Sequence, residues 1–304
     1  MTWDFPCRRM KRLRVANPTD GQFQPSLVGL PADPKPGSPL VVFCHKWGAT
    51  YRQFDPRLAP LAHNHGWLFL APNYRGKNDR PVAVGSAIAQ QDVITAIDEV
   101  ARRFSVDLKR VSLAGLSGGG HMALLLASNF PDRFAAVTVW SPIASLVDWH
   151  RFHRQHRFFY DYARDIEAVT GGPPGASDEV DHQYNVRSPI FSIQRAASLP
   201  IDINHGIHDG HHGHTIPIDQ SIHLFNALAD TSQEPKVTKE QEHQLVSAGQ
   251  SAIFDGKANE SDSDYGVPIY LRKEAGRSRL TIFEGAHDMI PRAAFAWLRR
   301  HVDG

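Results

Sequence analysis

Val111-Ser112-Leu113-Ala114-Gly115-Leu116-Ser117-Gly118-Gly119-Gly120 is the stretch on which the reading of this 304-residue chain turns. An apolar run ends in a glycine-rich turn, and residues 121–129 follow with the composition of a buried helix. Gly115-Leu116-Ser117-Gly118-Gly119 fits G-x-S-x-G, a pattern that stands a serine on a sharp strand-to-helix turn. So tight a turn crowds the backbone, and neighbours without a Cβ relieve it. The serine oxygen is then exposed at a helix N-terminus, where negative charge is favoured.

Outward from that turn, short apolar runs recur at Leu40-Val41-Val42-Phe43-Cys44-His45, Trp67-Leu68-Phe69-Leu70, Ala135-Ala136-Val137-Thr138-Val139-Trp140 and Ile201-Asp202-Ile203-Asn204. Such runs are expected of strands buried on both faces of a parallel sheet. Helical period lies between them, most clearly over residues 88–104, where Ile94, Ile97, Val100 and Phe104 share one face. The alternation predicts an α/β fold: a doubly wound, mostly parallel sheet with helices on both faces. Edge strands are expected at Arg12-Leu13-Arg14-Val15 and Ser26-Leu27-Val28-Gly29-Leu30. Residues 1–304 are read as one domain with two excursions. Residues 146–198 form a possible cap, aromatic and basic at its start; residues 230–266 form a polar loop whose run 257–264 reads as a mobile surface segment.

Hydrophobic residues at 41% supply a sizeable core, and Lys+Arg at 33 against Asp+Glu at 32 leaves no field to recruit nucleic acid or an anionic membrane. Cys7 and Cys44 match neither a disulfide framework nor a zinc motif. No apolar run is long enough for a bilayer and no signal peptide is visible, so a cytoplasmic location is the default expectation. Oligomeric state has no signature here.

At this point the sequence resembles the α/β-hydrolases, and within them the prolyl oligopeptidase-like (S9-type) catalytic domains and their single-domain esterase relatives. The resemblance covers about residues 40–229 and resumes near 280. Asn73-Tyr74-Arg75-Gly76 is similar to the family's Y-R-G segment, and His205-Gly206-Ile207-His208-Asp209 to its H-G-x-x-D segment, which implies Asp209 as the acid of a catalytic triad. Ile216-Pro217-Ile218-Asp219-Gln220-Ser221 resembles the helix start that follows that acid, although residues 210–215 lengthen the intervening loop. Asp202 is the competing carboxylate, placed inside a strand. Gly285-Ala286-His287-Asp288 lies after the apolar run Leu280-Thr281-Ile282-Phe283, where the family has its catalytic histidine; the order Ser117, Asp209, His287 is the order the fold demands.

The chemistry this implies is acyl transfer to water, with no cofactor. A serine hydroxyl needs a base near neutral pH, and imidazole can take and return a proton there. The aspartate fixes the imidazole's tautomer. Two N–H groups must receive the oxyanion: Gly118, directly after the nucleophile, and Trp47, in a loop where His45-Lys46-Trp47-Gly48 stands for the family's H-G-x-G. Because only about 39 residues precede the first core strand, the expected substrates are small carboxylic esters, carbohydrate esters among them. A peptidase or amidase is the alternative, and a catalytically silent binding module comes after both. Two weaker signals stand beside these. His205, His208, His211, His212 and His214 lack recognised metal-ligand spacing and read as an active-site rim, with no metal site expected. The aromatic and cationic run from Trp149 to Tyr160 either lines a pocket or packs a helix on the domain.

Overall fold

The computed structural model describes residues 10–156, 160–211, 215–250 and 260–303. Its strands are β1 (Met10–Ala16), β2 (Phe23–Gly29), β3 (Leu40–Cys44), β4 (Leu68–Pro72), β5 (Val111–Leu116), β6 (Ala136–Trp140), β7 (Ile201–Gly206), β8 (Glu260–Ser261), β9 (Pro268–Ala275) and β10 (Ser278–Phe283). They form one sheet in the order β1-β2-β4-β3-β5-β6-β7-β10-β9-β8. The centre, from β4 to β10, is parallel throughout, and antiparallel strands close both edges. This is an α/β-hydrolase fold. β3 to β7 and β10 are buried along their whole length, which is why their sequences read as continuous apolar runs rather than alternations.

Helices α1 (Leu58–Asn64) and α9 (Pro291–Val302) cover one face, and α2 (Ala87–Phe104), α3 (Gly118–Asn129) and α7 (Asp219–Ser232) cover the other. The expected helical face of residues 88–104 is real: Val93, Ile94, Ile97 and Val100 are buried against the sheet. Ser86 caps that helix by accepting the Ala89 N–H, and Ser105 ends it in the left-handed region.

Both excursions are more regular than the sequence suggests. Residues 146–198 fold into α4 (Leu146–Gln155), α5 (Tyr162–Thr170) and α6 (Asp178–Val186), followed by two short 3₁₀ turns. These helices share an apolar cluster of their own, made by Leu146, Trp149, Ile166, Val180 and Tyr184 with Trp47 from the loop after β3. Residues 230–266, expected as a polar loop, contain α8 (Lys239–Gln250) and β8. The reason is a capping box: Thr238 Oγ1 accepts the Gln241 N–H at 3.2 Å and Gln241 Oε1 accepts the Thr238 N–H at 3.1 Å. Of the run expected as mobile, residues 257–259 lie outside the described residues. Among the described residues no helix is long and apolar enough to cross a membrane.

Candidate active site

β5 delivers Ser117 to the carboxyl edge of the sheet, and the backbone there is strained: φ 61°, ψ −124°, a conformation that non-glycine residues rarely adopt. The strain is held by close packing around the turn. A Cβ on Gly119 would lie 2.1 Å from the Cys44 carbonyl oxygen, and one on Gly118 would lie 2.6 Å from the Trp47 nitrogen. Only glycines let α3 start this close to the end of β3. The Ser117 N–H continues the sheet by donating to the Trp140 carbonyl at 2.8 Å, and the Ser117 carbonyl accepts the His121 N–H at 3.0 Å as the first helical bond.

Asp209 follows the end of β7 and has no exposed surface. Its Oδ2 lies 2.6 Å from His287 Nδ1, and its Oδ1 accepts the N–H groups of Gly210 at 2.9 Å and Ile216 at 3.2 Å. Burial pushes the carboxyl's pKa up, but the charge and hydrogen bond of His287 outweigh it and hold the group at about 2. The carboxylate thus takes one N–H from each side of the lengthened loop, Gly210 and Ile216. The competing carboxylate Asp202, and Asp288 next to the histidine, are engaged elsewhere. Asp202 accepts from Arg279 Nε at 2.9 Å, Asn204 Nδ2 at 2.7 Å and Thr138 Oγ1 at 3.1 Å. Asp288 accepts the Met289 N–H and reaches Arg57 at the surface.

Ser117 and His287 line one cavity of about 320 Å³, together with Lys46, Trp47, Gly48, Ala49, Tyr162 and Thr215. Among the described residues no direct hydrogen bond joins Ser117 Oγ to His287. The two groups thus meet across the cavity, with the ring's Nδ1 side fixed by Asp209.

The loop after β3 is locked from behind. His45 Nδ1 donates to the Lys46 carbonyl at 3.0 Å, and the Ala49 N–H donates to the same oxygen at 3.1 Å. Tyr74, stacked on the His45 ring at 3.9 Å, donates its hydroxyl to the His45 carbonyl at 2.6 Å. Burial depresses His45 to about 4, so the ring is neutral with its proton on Nδ1. A trans peptide points its N–H away from its carbonyl, so fixing the Lys46 carbonyl also fixes the Trp47 N–H. Lys46 keeps a negative φ, and the loop accommodates it where the family has glycine. The Trp47 side chain runs the other way: its indole donates to Asp165 at 3.2 Å and meets Trp149 edge-on at 4.8 Å.

Trp149 is 1% exposed and packs rather than lines, with its indole donating to the Thr215 carbonyl at 2.8 Å. Arg151 and Arg154 of the same helix face solvent and pair with Asp148 and Glu167. Of the histidine-rich run, His212 and His214 lie outside the described residues. His205 is fully buried; its Nε2 donates to the Ile216 carbonyl at 3.1 Å and lies 3.8 Å from Asp209 Oδ2, while Nδ1 accepts from Ser221 at 2.8 Å. Burial pushes it down to about 4, so it stays neutral beside the aspartate. His208 bonds Glu284 at 2.9 Å. Among the described residues no three His, Cys, Asp or Glu side chains are placed to hold a metal ion. His45, Tyr74 and His205 carry no distinguishing pattern beyond the motifs that contain them. Their roles come from packing across loops.

Comparison with known proteins places the chain in a family. The chain is 25% identical over 182 residues to acylamino-acid-releasing enzyme 2 of Oryza sativa subsp. japonica, covering 52% of this chain and 22% of that one. It is 24% identical over 179 residues to the acylamino-acid-releasing enzyme of Mus musculus, covering 54% and 22%. It thus spans under a quarter of the length of these curated relatives. Among solved structures it is similar to a Mycobacterium tuberculosis puromycin-hydrolyzing peptidase (TM-score 0.63, 20% identity, 96% of this chain and 38% of that one). It is also similar to Pyrococcus horikoshii acylaminoacyl peptidase (TM-score 0.62, 17% identity, 96% and 40%). The model of the prolyl oligopeptidase family, Peptidase_S9, matches residues 52–254, and the chain belongs to that family.

Proposed function

We propose that this protein is a serine hydrolase that cleaves acyl–amino acid or peptide amide bonds through an acyl-Ser117 intermediate. The observation that carries the reading is the 2.6 Å contact between His287 Nδ1 and buried Asp209, opposite a strained serine in the same cavity. Asp209 holds the imidazole with its proton on Nδ1, leaving Nε2 to take the Ser117 proton and return it to the leaving amine. The carbonyl oxygen becomes an oxyanion near the start of α3. Its donors are the Gly118 and Trp47 N–H groups, on two backbone segments packed so closely that a Cβ on Gly118 would lie 2.6 Å from the Trp47 nitrogen. Electrostatic stabilisation of this kind needs donors that are already fixed, and the His45 and Tyr74 bonds support that role for the Trp47 loop.

The ester preference expected from the sequence rested on how little chain precedes the first core strand, which says nothing about the bond cleaved. The relatives' names favour the peptidase alternative. The deciding measurement compares N-acyl-aminoacyl anilides with matched esters. The peptidase reading expects anilide cleavage with kcat/KM within about tenfold of the ester value. Ester turnover that leaves every anilide intact would return the protein to the esterases. Fluorophosphonate labelling with peptide mapping should modify Ser117, and Ser117→Ala should abolish both labelling and turnover while the fold persists; label on another serine would remove the triad reading altogether.

A further inference from the structure

A second cavity, of about 500 Å³, lies between the start of α2, the end of α3 and the end of α6, and shares no lining residue with the catalytic one. Its lining contains two arginines, Arg187 and Arg195, and no aspartate or glutamate. Arg187 is unusual for a charged residue: it is 8% exposed and has no carboxylate partner among the described residues. Buried charges are normally paired, because an isolated one is costly to desolvate. Two of the five N–H groups of its guanidinium are used, both on neutral acceptors: Gln183 Oε1 at 3.0 Å and the Val84 carbonyl at 2.9 Å. Burial alone acts on it and lowers its pKa.

The rest of the wall is consistent with an anion. Asn129 Nδ2 donates to Gln90 Oε1 at 2.8 Å, and Gln90 Nε2 to the Gly85 carbonyl at 2.7 Å, so the Gln90 oxygen is consumed within the wall. Asn129 Oδ1 is taken by Arg195 Nη1 at 3.4 Å. Ser86 and Ala87 bring in the N-terminus of the 18-residue α2. The C-terminal end of α6 also reaches the cavity and offsets that dipole, so the charge balance rests on the two guanidiniums. The nearest carboxylate in the hydrogen-bond chain, Glu179, accepts from the far side of Gln183 and does not line the cavity. Phe191, 58% exposed, supplies an apolar rim.

We infer that this cavity is a binding site for a small organic oxyanion, a phosphate or carboxylate on an apolar body, held by Arg187 and Arg195 with the apolar part against Phe191. Guanidinium groups with spare N–H donors suit the planar edge of such oxyanions, and the volume suits a metabolite-sized molecule.

Isothermal titration calorimetry on the whole chain with phenyl phosphate, inorganic phosphate, phenylacetate and phenol tests this. Phenyl phosphate or phenylacetate should bind and phenol should not. Arg195→Gln, at a solvent-facing position, should weaken binding about tenfold, and Arg187→Gln more strongly. If Arg187→Gln fails to fold by circular dichroism, Asn129→Asp decides instead: a carboxylate beside Arg195 should abolish binding. Binding that survives Arg195→Gln and Asn129→Asp unchanged, or no heat from any anion up to about 10 mM, overturns the site. Inorganic phosphate binding as tightly as phenyl phosphate overturns the apolar part.

Discussion

β7 and β10 run parallel side by side, and each end of the pair carries a fully buried aspartate facing a nitrogen donor. At the amino end Asp202 of β7 is in register with Arg279 of β10 and accepts its Nε at 2.9 Å. Beyond the carboxyl end Asp209 accepts from His287 at 2.6 Å. The two carboxylates are alike in burial and opposite in use. Arg279 cannot lose its proton: burial works against its charge, yet Asp202 raises its pKa further, and the pair is a permanent tie between strands. An imidazole exchanges protons near neutrality, and His287, 19% exposed, opens on a cavity. In an open α/β sheet, groups at the carboxyl ends of strands meet ligands and groups at the amino ends meet the scaffold.

The sharpest way to break the comparison is to neutralise each aspartate. Asp209→Asn should lower kcat about ten-thousandfold, because the imidazole loses its enforced tautomer, with a comparatively small change in melting temperature. Asp202→Asn should do the reverse: a stability loss of about 3–5 kcal/mol from an unpaired buried Arg279, and kcat per folded molecule within a few-fold of wild type. Denaturant melts beside active-site titration read both. Equal kinetic damage from the two variants would erase the distinction between the ends.

Acid sharpens the contrast. Asp209 is held at about 2 against an ordinary 3.8, so its contribution, about 2 kcal/mol, is fully present above pH 3.8 and is lost as pH falls through about 2. Buried His45 and His121, pushed down to about 4 by burial and away from Asp209, destabilise the fold in an earlier window, between pH 6.5 and about 4, equally in wild type and variant. The stability gap between wild type and Asp209→Asn should therefore hold steady down to about pH 4 and narrow below it. A gap that narrows only above pH 4 would contradict the pairing.

A smaller effect is expected one step from the chemistry. His45→Phe keeps a ring for Tyr74 to stack on and removes the Nδ1 donor from the Lys46 carbonyl. It should lower kcat about ten- to hundredfold with little change in KM, because a slack Trp47 N–H is felt only when the oxyanion forms. A KM rise at constant kcat would show that the loop binds substrate instead.

How much of this was legible in the sequence follows from how local each signal is. The strand–turn–helix around Ser117, the buried runs of β3 to β7 and the periodicity of α2 are local patterns, and they appear where they were read. The partner of His287 is not local: composition and spacing leave both Asp202 and Asp209 open, only the resemblance of residues 205–209 to the H-G-x-x-D segment points to Asp209, and the family match ends at residue 254, before the histidine. The roles of His45 and Tyr74 are not legible in sequence, and His205, read as part of an active-site rim, is instead fully buried, because buried polar residues acquire their roles from contacts across loops. The three helices of residues 146–198 are short amphipathic segments, the last two separated by the Gly- and Pro-rich run 171–177, and so are hard to read as helices. α8 was misread for a different reason, since its polar composition resembles a loop and only Thr238-x-x-Gln241 marks its start.

That missed helix gives the smallest and last test. The end of α8 touches the carboxyl-end pair from behind: a Cβ on Gly249 would lie 2.1 Å from the Ile207 carbonyl oxygen, and the Gly249 carbonyl bonds His208 Nδ1 at 3.2 Å. Thr238→Ala removes the cap at the opposite end of the helix, about ten residues away. If β7 and β10 alone position Asp209 and His287, the variant should lose about 1 kcal/mol of stability, the ordinary value of an N-cap, and keep kcat within about twofold. Thermal melts together with single-turnover acylation rates separate the two quantities. A kcat loss of tenfold or more at that small stability loss would mean that the acid's loop depends on α8 for its position, and the contrast between the two ends would then be one of buttressing as well as of strand geometry.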